Sequence, residues 1–317
     1  MSPSGSDADG SILTPEEAYT VLGNEVRIQI IRTLHEADEP LGFAELFDRI
    51  EYDTASNFSY HLTQLVDHFV NKTEAGYSLS WTGLLVARSA ILAGQVTAQT
   101  RIEPTGVDAE CPLCGAPLEV SYDDNIMKVL CTDCIGIWEF GPRGLLITFN
   151  GPPMAFAYRT AEEAFHAMAH RRLGEIALLA NDICPLCAAT VEHSLVVCTD
   201  HGVTDEDHCD ACTNYFCTDV RQGCRECGFG FIKLPASVVS LASGSLDHVL
   251  ATYGVPVPRG WDAYALALAV EEALLETEPV RLHISLPVDD EVISVTIDDD
   301  LTVLDHERFS REIPPDG

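Results

Sequence analysis

Apolar positions recur at helical spacing through the first third of the chain and then give way to alternation. Thr14-Pro15-Glu16-Glu17 joins a capping residue, a proline at the first helical position and acids in the first turn, which is a helix start. Residues 25–34 continue as a second helix, and Glu39-Pro40-Leu41-Gly42 breaks it. Phe43, Leu46, Phe47 and Ile50 mark a short third helix, with a turn at Tyr52-Asp53-Thr54. A fourth helix is predicted over residues 55–68, with Phe58, Leu62, Leu65 and Phe69 as one buried stripe. Two short strands, around residues 69–71 and 77–79, then flank Thr73-Glu74-Ala75-Gly76. On the helix that follows, Trp81, Leu85, Leu92 and Val96 recur at roughly heptad spacing.

Helix, helix, short turn, helix and hairpin is the order of a winged helix-turn-helix. Beyond it, residues 118–122 and 127–130 alternate as hairpin arms around Asp123-Asp124-Asn125, and residues 145–150 form a strand ended by Gly151-Pro152-Pro153. Residues 160–179 read as a helix bearing Arg171-Arg172, the one adjacent basic pair, facing either phosphate or solvent. Residues 235–253 and 261–275 look like two helices, and residues 281–286 and 292–297 alternate as a β-hairpin around Asp289-Asp290-Glu291. The expected fold is α+β and multidomain. Its parts are a disordered tail (1–13), the winged helix-turn-helix (14–96), a zinc ribbon (105–150), a helical linker (151–182), a double zinc-knuckle module (183–232) and a carboxyl-terminal α+β domain with the β-hairpin (233–310).

The cysteines carry the clearest chemistry. Eleven of the twelve fall into pairs two residues apart: Cys111 with Cys114, Cys131 with Cys134, Cys184 with Cys187, Cys198 with His201, Cys209 with Cys212, and Cys224 with Cys227. Such a knuckle directs two donors at one tetrahedral centre, and a second knuckle after a hairpin supplies the other two. Cys111, Cys114, Cys131 and Cys134 therefore form a ribbon site. An internal repeat sets Val129-Leu130-Cys131-Thr132-Asp133-Cys134 beside Val196-Val197-Cys198-Thr199-Asp200-His201. It predicts one site of Cys184, Cys187, Cys198 and His201 and another of Cys209, Cys212, Cys224 and Cys227. A cross-braced pairing of Cys184 and Cys187 with Cys209 and Cys212 fits the same residues. Twelve ligands make three zinc ions, each closed by four donors and hence structural rather than catalytic. Cys217 is left over, either a redox-reactive thiol or a buried small residue.

Charge changes the picture of the surroundings more than of the fold. The net charge is −32 and only Lys72, Lys128 and Lys233 are lysines. Residues 14–96 carry 12 acidic and 5 basic side chains, residues 97–234 carry 20 and 9, and residues 235–317 carry 16 and 4. An even acidic surface of this kind resembles the proteins of salt-in halophilic archaea, where charge is screened within roughly 3 Å at 1 M salt. It speaks to solvent first and does not exclude a nucleic-acid partner. No stretch reaches the roughly 20 apolar residues of a membrane span. The polar, acidic first ten residues are not a signal peptide, so a cytoplasmic location is expected, with thiols held by metal rather than as disulfides.

Residues 22–34, Ser59-Tyr60-His61-Leu62-x2-Leu65 and Tyr77-Ser78-Leu79-Ser80-x2-Gly83 resemble, in order, the opening, the recognition helix and the wing exit of arsenic-repressor-type (ArsR-like) regulators. The likeness covers about a quarter of the chain; with the zinc modules, the whole resembles haloarchaeal regulators of that type. It implies double-stranded DNA as partner, a homodimer formed through the terminal helices, and a fourth helix that enters the major groove. Carried over, Ser56, Asn57, Ser59, Tyr60 and Gln64 would face the groove, and Lys72 and Thr73 on the wing would meet the backbone. Asn and Gln suit adenine, and Ser and Tyr suit phosphate. The same residues also read as an ordinary solvated face. Unlike the family's metal sensors, the chain has no cysteine before Cys111, so thiolate sensing in the third helix is not expected. A second resemblance is to the archaeal counterpart of the general transcription factor E alpha subunit, which also joins a winged helix to a zinc ribbon and implies a transcription-machinery partner.

No enzyme is expected. Phosphate loops, dinucleotide glycines, nucleophile elbows and zinc-protease helices are all missing. His166 and His170 are four apart, but no glutamate lies between them. Asp298-Asp299-Asp300 lacks the glycine and distal glutamate of a calcium loop and reads as acidic surface.

Overall fold

A capping box opens the first helix of the computed structural model, which describes residues 13–94, 101–156, 158–204 and 207–310. Apart from Leu13, the expected tail lies outside these residues, as does Val96. Thr14 accepts the Glu17 N–H at 3.2 Å, and the Glu17 carboxylate accepts the Thr14 N–H at 2.9 Å. The chain divides into two compact units, within residues 1–98 and 99–317.

The smaller unit runs α1 (Pro15–Leu22), α2 (Glu25–His35), α3 (Phe43–Ile50), α4 (Ala55–Thr63), β1 (Val70–Thr73), β2 (Gly76–Leu79) and α5 (Trp81–Gly94). Asn24 caps α2 by accepting from Val26 and Arg27. Ile30, Ile31, Leu46, Phe58, Leu62, Leu65 and Phe69 close one core. The fourth helix is shorter than expected, ending at Thr63 rather than near residue 68. Asp67 adopts a left-handed conformation (φ 71°), and the N–H groups of Phe69 and Val70 both donate to the Leu65 carbonyl at 2.9 Å. That turn keeps Leu65 and Phe69 buried while redirecting the chain into β1. Leu41 bridges Tyr77 beside the hairpin. Gly83 lets α5 start against the hairpin, because a Cβ there would sit 1.9 Å from the Phe69 carbonyl oxygen.

In the larger unit, β3 (Ile102–Glu110), β4 (Pro117–Asp123), β5 (Ile126–Cys131) and β6 (Leu145–Asn150) form an antiparallel sheet in sequence order. After α6 (Ala161–Ala180) come β7 (Val191–Val197), β8 (Thr218–Cys224) and β9 (Gly230–Leu234), a three-stranded antiparallel sheet. Three helices follow, α7 (Ala236–Ser243), α8 (Asp247–Thr252) and α9 (Trp261–Leu268). A four-stranded meander ends the described chain: β10 (Glu271–Thr277), β11 (Val280–Val288), β12 (Glu291–Ile297) and β13 (Val303–Ser310). The molecule is thus α+β with several small sheets.

Several expectations for this unit need correction. The helix expected over 235–253 is broken at Gly244, whose φ is +84°. The one expected over 261–275 stops at Leu268, and residues 271–277 are strand β10, paired from Glu271 opposite Ser285. Glu, Ala and Leu dominate that stretch and favour helix, but the ladder to β11 overrides propensity. The expected linker helix is a centre of the core. Ala164, Phe165, Met168, Ala169, Ile176 and Leu179 of α6 are buried in one cluster that runs from Cys111 to Ile297. The Phe165 and Trp261 rings lie 5.0 Å apart. Arg171 pairs with Glu175 at 2.8 Å, whereas the Arg172 guanidinium stacks 3.2 Å from the Phe231 ring centre. Burial lowers the Arg172 pKa to about 10. The basic pair therefore offers one solvent-facing cation rather than two. No helix among the described residues is long and apolar enough to cross a membrane.

Candidate metal centres

Strand register decides which knuckles meet. In the first ribbon Leu118, four residues after Cys114, pairs with Cys131. This sets Cys111 and Cys114 beside Cys131 and Cys134. The Cys111 and Cys134 sulfurs lie 3.7 Å apart, and those of Cys114 and Cys131 lie 3.5 Å apart. Tetrahedral zinc–thiolate bonds of about 2.3 Å require sulfur separations of about 3.8 Å. The donor set fits that ion.

Between β7 and β8 the same register recurs. Val191, four residues after Cys187, pairs with Cys224, and the ladder runs on to Val197 opposite Thr218. Cys184, Cys187, Cys224 and Cys227 therefore form one group, and Cys198, His201, Cys209 and Cys212 form another. This overturns both the sequential and the cross-braced pairings. The sites are nested: one closes the base of the hairpin and the other closes its tip, about 20 Å away along seven residues of strand. The Cys-Thr-Asp repeat was misleading because Cys224 and Cys227, not Cys198 and His201, are the counterparts of Cys131 and Cys134. A two-residue turn at Asp124-Asn125 in the first ribbon is replaced in the second by the whole tip, residues 198–217.

Each group brings four donor atoms within 4.8 Å of one another. Cys184 lies 3.5 Å from Cys227, and Cys187 lies 3.5 Å from both Cys224 and Cys227. The knuckles are built alike. The N–H four residues after Cys111, Cys184, Cys209 and Cys224 donates back to that cysteine's carbonyl at 2.7–3.0 Å. The donors, Gly115, Ala188, Thr213 and Gly228, are all left-handed, with φ between 58° and 76°. At the tip, His201 Nδ1 lies 3.4 Å from the Cys212 sulfur, and Nε2 donates to the Tyr215 carbonyl at 3.1 Å. That bond leaves the Nδ1 lone pair for a metal. The Gly202 N–H, outweighing burial, pulls the Cys209 thiol down to about 6, while burial pushes Cys111 up.

Cys217 joins none of these groups. It is buried, its sulfur 4.0 Å from Glu272 Oε2, and burial first and Glu272 second push its thiol up to about 12. It packs as a protonated side chain. Neighbouring Thr218 donates to Glu272 Oε2 at 2.6 Å. The tip also docks on the first ribbon: Tyr215 donates to the Ile137 carbonyl at 3.1 Å, and Asn214 bridges Trp138. No local spacing announced that contact.

In the smaller unit Ser56, Asn57, Ser59 and Tyr60 share the exposed side of α4, with Tyr60 58% exposed. Gln64 is the half-buried cap beyond the helix end, not a residue of the helix. Lys72 and Thr73 are exposed on β1; Lys72 Nζ lies 5.7 Å from the Tyr77 ring centre, and Thr73 donates to the Gly76 carbonyl.

A family model described as a domain of unknown function (DUF7351) matches residues 108–303. A second, also described as a domain of unknown function (DUF7347), matches residues 15–90. No curated protein and no solved structure matches the chain.

Proposed function

We propose that this chain, which belongs to the DUF7351 family, is a DNA-binding transcriptional regulator of the ArsR-like winged helix-turn-helix type, carrying three structural zinc ions in its larger unit. The two-sided construction of α4 supports this reading most directly. Phe58 and Leu62 are fully buried, while Ser56, Asn57, Ser59 and Tyr60 stand in solvent ahead of a hairpin that exposes Lys72 and Thr73. A groove-reading helix must be built in this way. The zinc ions scaffold, because each group already supplies four protein donors and leaves no position for substrate. Cytoplasmic residence follows from the same reading.

Acidic residues outnumber basic ones in residues 14–96, 12 to 5, so binding cannot lean on counterion release. Base contacts and shape fit must dominate, and affinity should be flat or rise with salt, opposite to the usual loss. Fluorescence anisotropy with fragments of the chain's own promoter in about 1 M KCl, where screening is nearly complete, is the test. Asn57→Ala and Tyr60→Ala are each expected to cost about 1–3 kcal/mol. Wild-type binding that both variants leave unchanged would remove α4 from the mechanism. No specific binding at any salt would favour a protein-interaction factor that contacts the transcription machinery.

A homodimer through α5 is part of the proposal. Trp81 and Leu92 remain 66% and 48% exposed on that helix. Light scattering in molar KCl should give twice the chain mass, and Trp81→Glu combined with Leu92→Glu should give one. A monomer at every concentration ends the idea.

A further inference from the structure

Aspartate and glutamate outnumber lysine and arginine by 50 to 18 in this chain, yet one cavity of the larger unit reverses the balance. It holds about 50 Å³, and Arg172 of α6 and Lys233 of β9 both line it. No aspartate or glutamate does so among the described residues. The rest of the wall is largely apolar, with Trp138, Leu146, Val238 and Leu268.

Neither cation is matched by a carboxylate. The Arg172 guanidinium and the Lys233 ammonium form no ion pair or hydrogen bond to any described residue. Arg172 stacks on Phe231 with its Nε buried and unpartnered, and Lys233 Nζ lies 5.2 Å from the Phe140 ring centre. Glu175, whose charge reaches Arg172, is held by Arg171 at 2.8 Å. Ring faces offset only part of what a half-buried charge loses on leaving water. The backbone is also bent to bring Lys233 in. Lys233 and its neighbour Leu234 both line the cavity, although adjacent residues of a regular strand face opposite sides. The β8–β9 register slips between Val220 and Gln222. Lys233 is left-handed at φ 61°, and its N–H donates to buried Asp219 at 2.8 Å. Glycine adopts that backbone freely, lysine only under strain. Bulges of this kind re-aim a side chain, and the one re-aimed here is among the three lysines of the chain.

We propose that this cavity binds a small monocarboxylate. Its carboxylate group accepts from Arg172 and Lys233, and its alkyl tail packs on Leu234, Val238 and Leu268. One water needs about 10–15 Å³ of such space, so the cavity suits about three to five non-hydrogen atoms, the size of acetate or propionate. The bound anion supplies the counter-charge that both cations lack, through charge-assisted hydrogen bonds. The site belongs to the larger unit alone and does not depend on DNA recognition.

Potassium formate, acetate and propionate, each against its uncharged amide, are the probes. They are titrated calorimetrically into the zinc-loaded full chain in about 1 M KCl, where screening is nearly complete. At least one carboxylate should bind with a Kd below about 10 mM, and its amide at least about tenfold more weakly. Arg172→Met and Lys233→Gly should each weaken that carboxylate about tenfold while the chain keeps its zinc content. Neither should lower the thermal transition of the larger unit, because one removes an unpaired charge and the other relieves a strained backbone. Chloride is already in excess, so a site that accepts any anion gives no heat with the carboxylates, and the proposal falls. An amide that matches its acid, or affinity unchanged in both variants, overturns it equally. A transition lowered in both variants would assign the two cations to the fold and overturn it too. Because binding is read on the chain itself, this result is separate from that of the promoter titration.

Discussion

Cys184→Ala combined with Cys224→Ala should leave two zinc ions on the chain, whereas Cys184→Ala combined with Cys198→Ala should leave one. The first pair removes two donors from one nested group, and the second removes one donor from each of two. Sequential pairing would invert the result, because Cys184 and Cys198 would then share an ion and Cys184 and Cys224 would not. Cross-bracing would leave one ion in both variants. Native mass spectrometry of protein purified in high salt without chelator counts the ions directly. Each intact variant serves as the other's control, so a general loss of metal cannot be mistaken for either pairing. A count of two for Cys184→Ala with Cys198→Ala would sink the nested assignment.

Chelation is expected to unfold the larger unit and spare the smaller one. All twelve donors lie between Cys111 and Cys227, within residues 99–317. Structural zinc supplies about 10–16 kcal/mol of apparent binding free energy in small peptides at pH 7, and whole domains are stable by only about 5–15 kcal/mol. Removing three ions should therefore exceed the stability that remains. The tryptophans separate the units spectroscopically. Trp138 and Trp261 are 8% and 5% exposed in the larger unit, while Trp81, in the smaller, is already 66% exposed. A strong chelator in molar KCl should shift the emission of the buried pair to the red and abolish one thermal transition. The helical signal and transition of the smaller unit should persist. If stripping the zinc leaves the buried tryptophans and both transitions unchanged, the ions are not structural.

Much of this was legible in the residues because it is local. The Thr14-Pro15-Glu16-Glu17 start, the periodic core positions Phe58 and Leu62, and the alternation of β11 and β12 each encode structure within a few residues. The identity of the twelve donors was equally local, since a knuckle is two residues wide. Their pairing was not. It depends on hydrogen bonding between Val191 and Cys224, across an insertion that no short-range spacing describes. Residues 271–277 failed for a related reason: their composition favours helix, and only the neighbouring strand makes them extended. The end of α7 turned on a single residue, Gly244, whose left-handed backbone caps it, and the turn that follows α4 bends at left-handed Asp67.

Nesting also sets a hazard during synthesis. A ribosome delivers Cys184, Cys187, Cys198, His201, Cys209 and Cys212 before Cys224 and Cys227 exist, and Cys224 follows Cys212 by twelve positions. At about 5–20 residues per second that interval is on the order of a second. During it, six donors compete for four positions, and the nearest neighbours in the chain are the wrong partners for Cys184 and Cys187. Capture by the tip first is the outcome that leaves those two cysteines free for the late-arriving knuckle. Metal arriving too early at Cys184 must be given up again. A chain misloaded in this way reaches the native pairing only where zinc exchanges between thiolates before the rest of the chain packs around the ion.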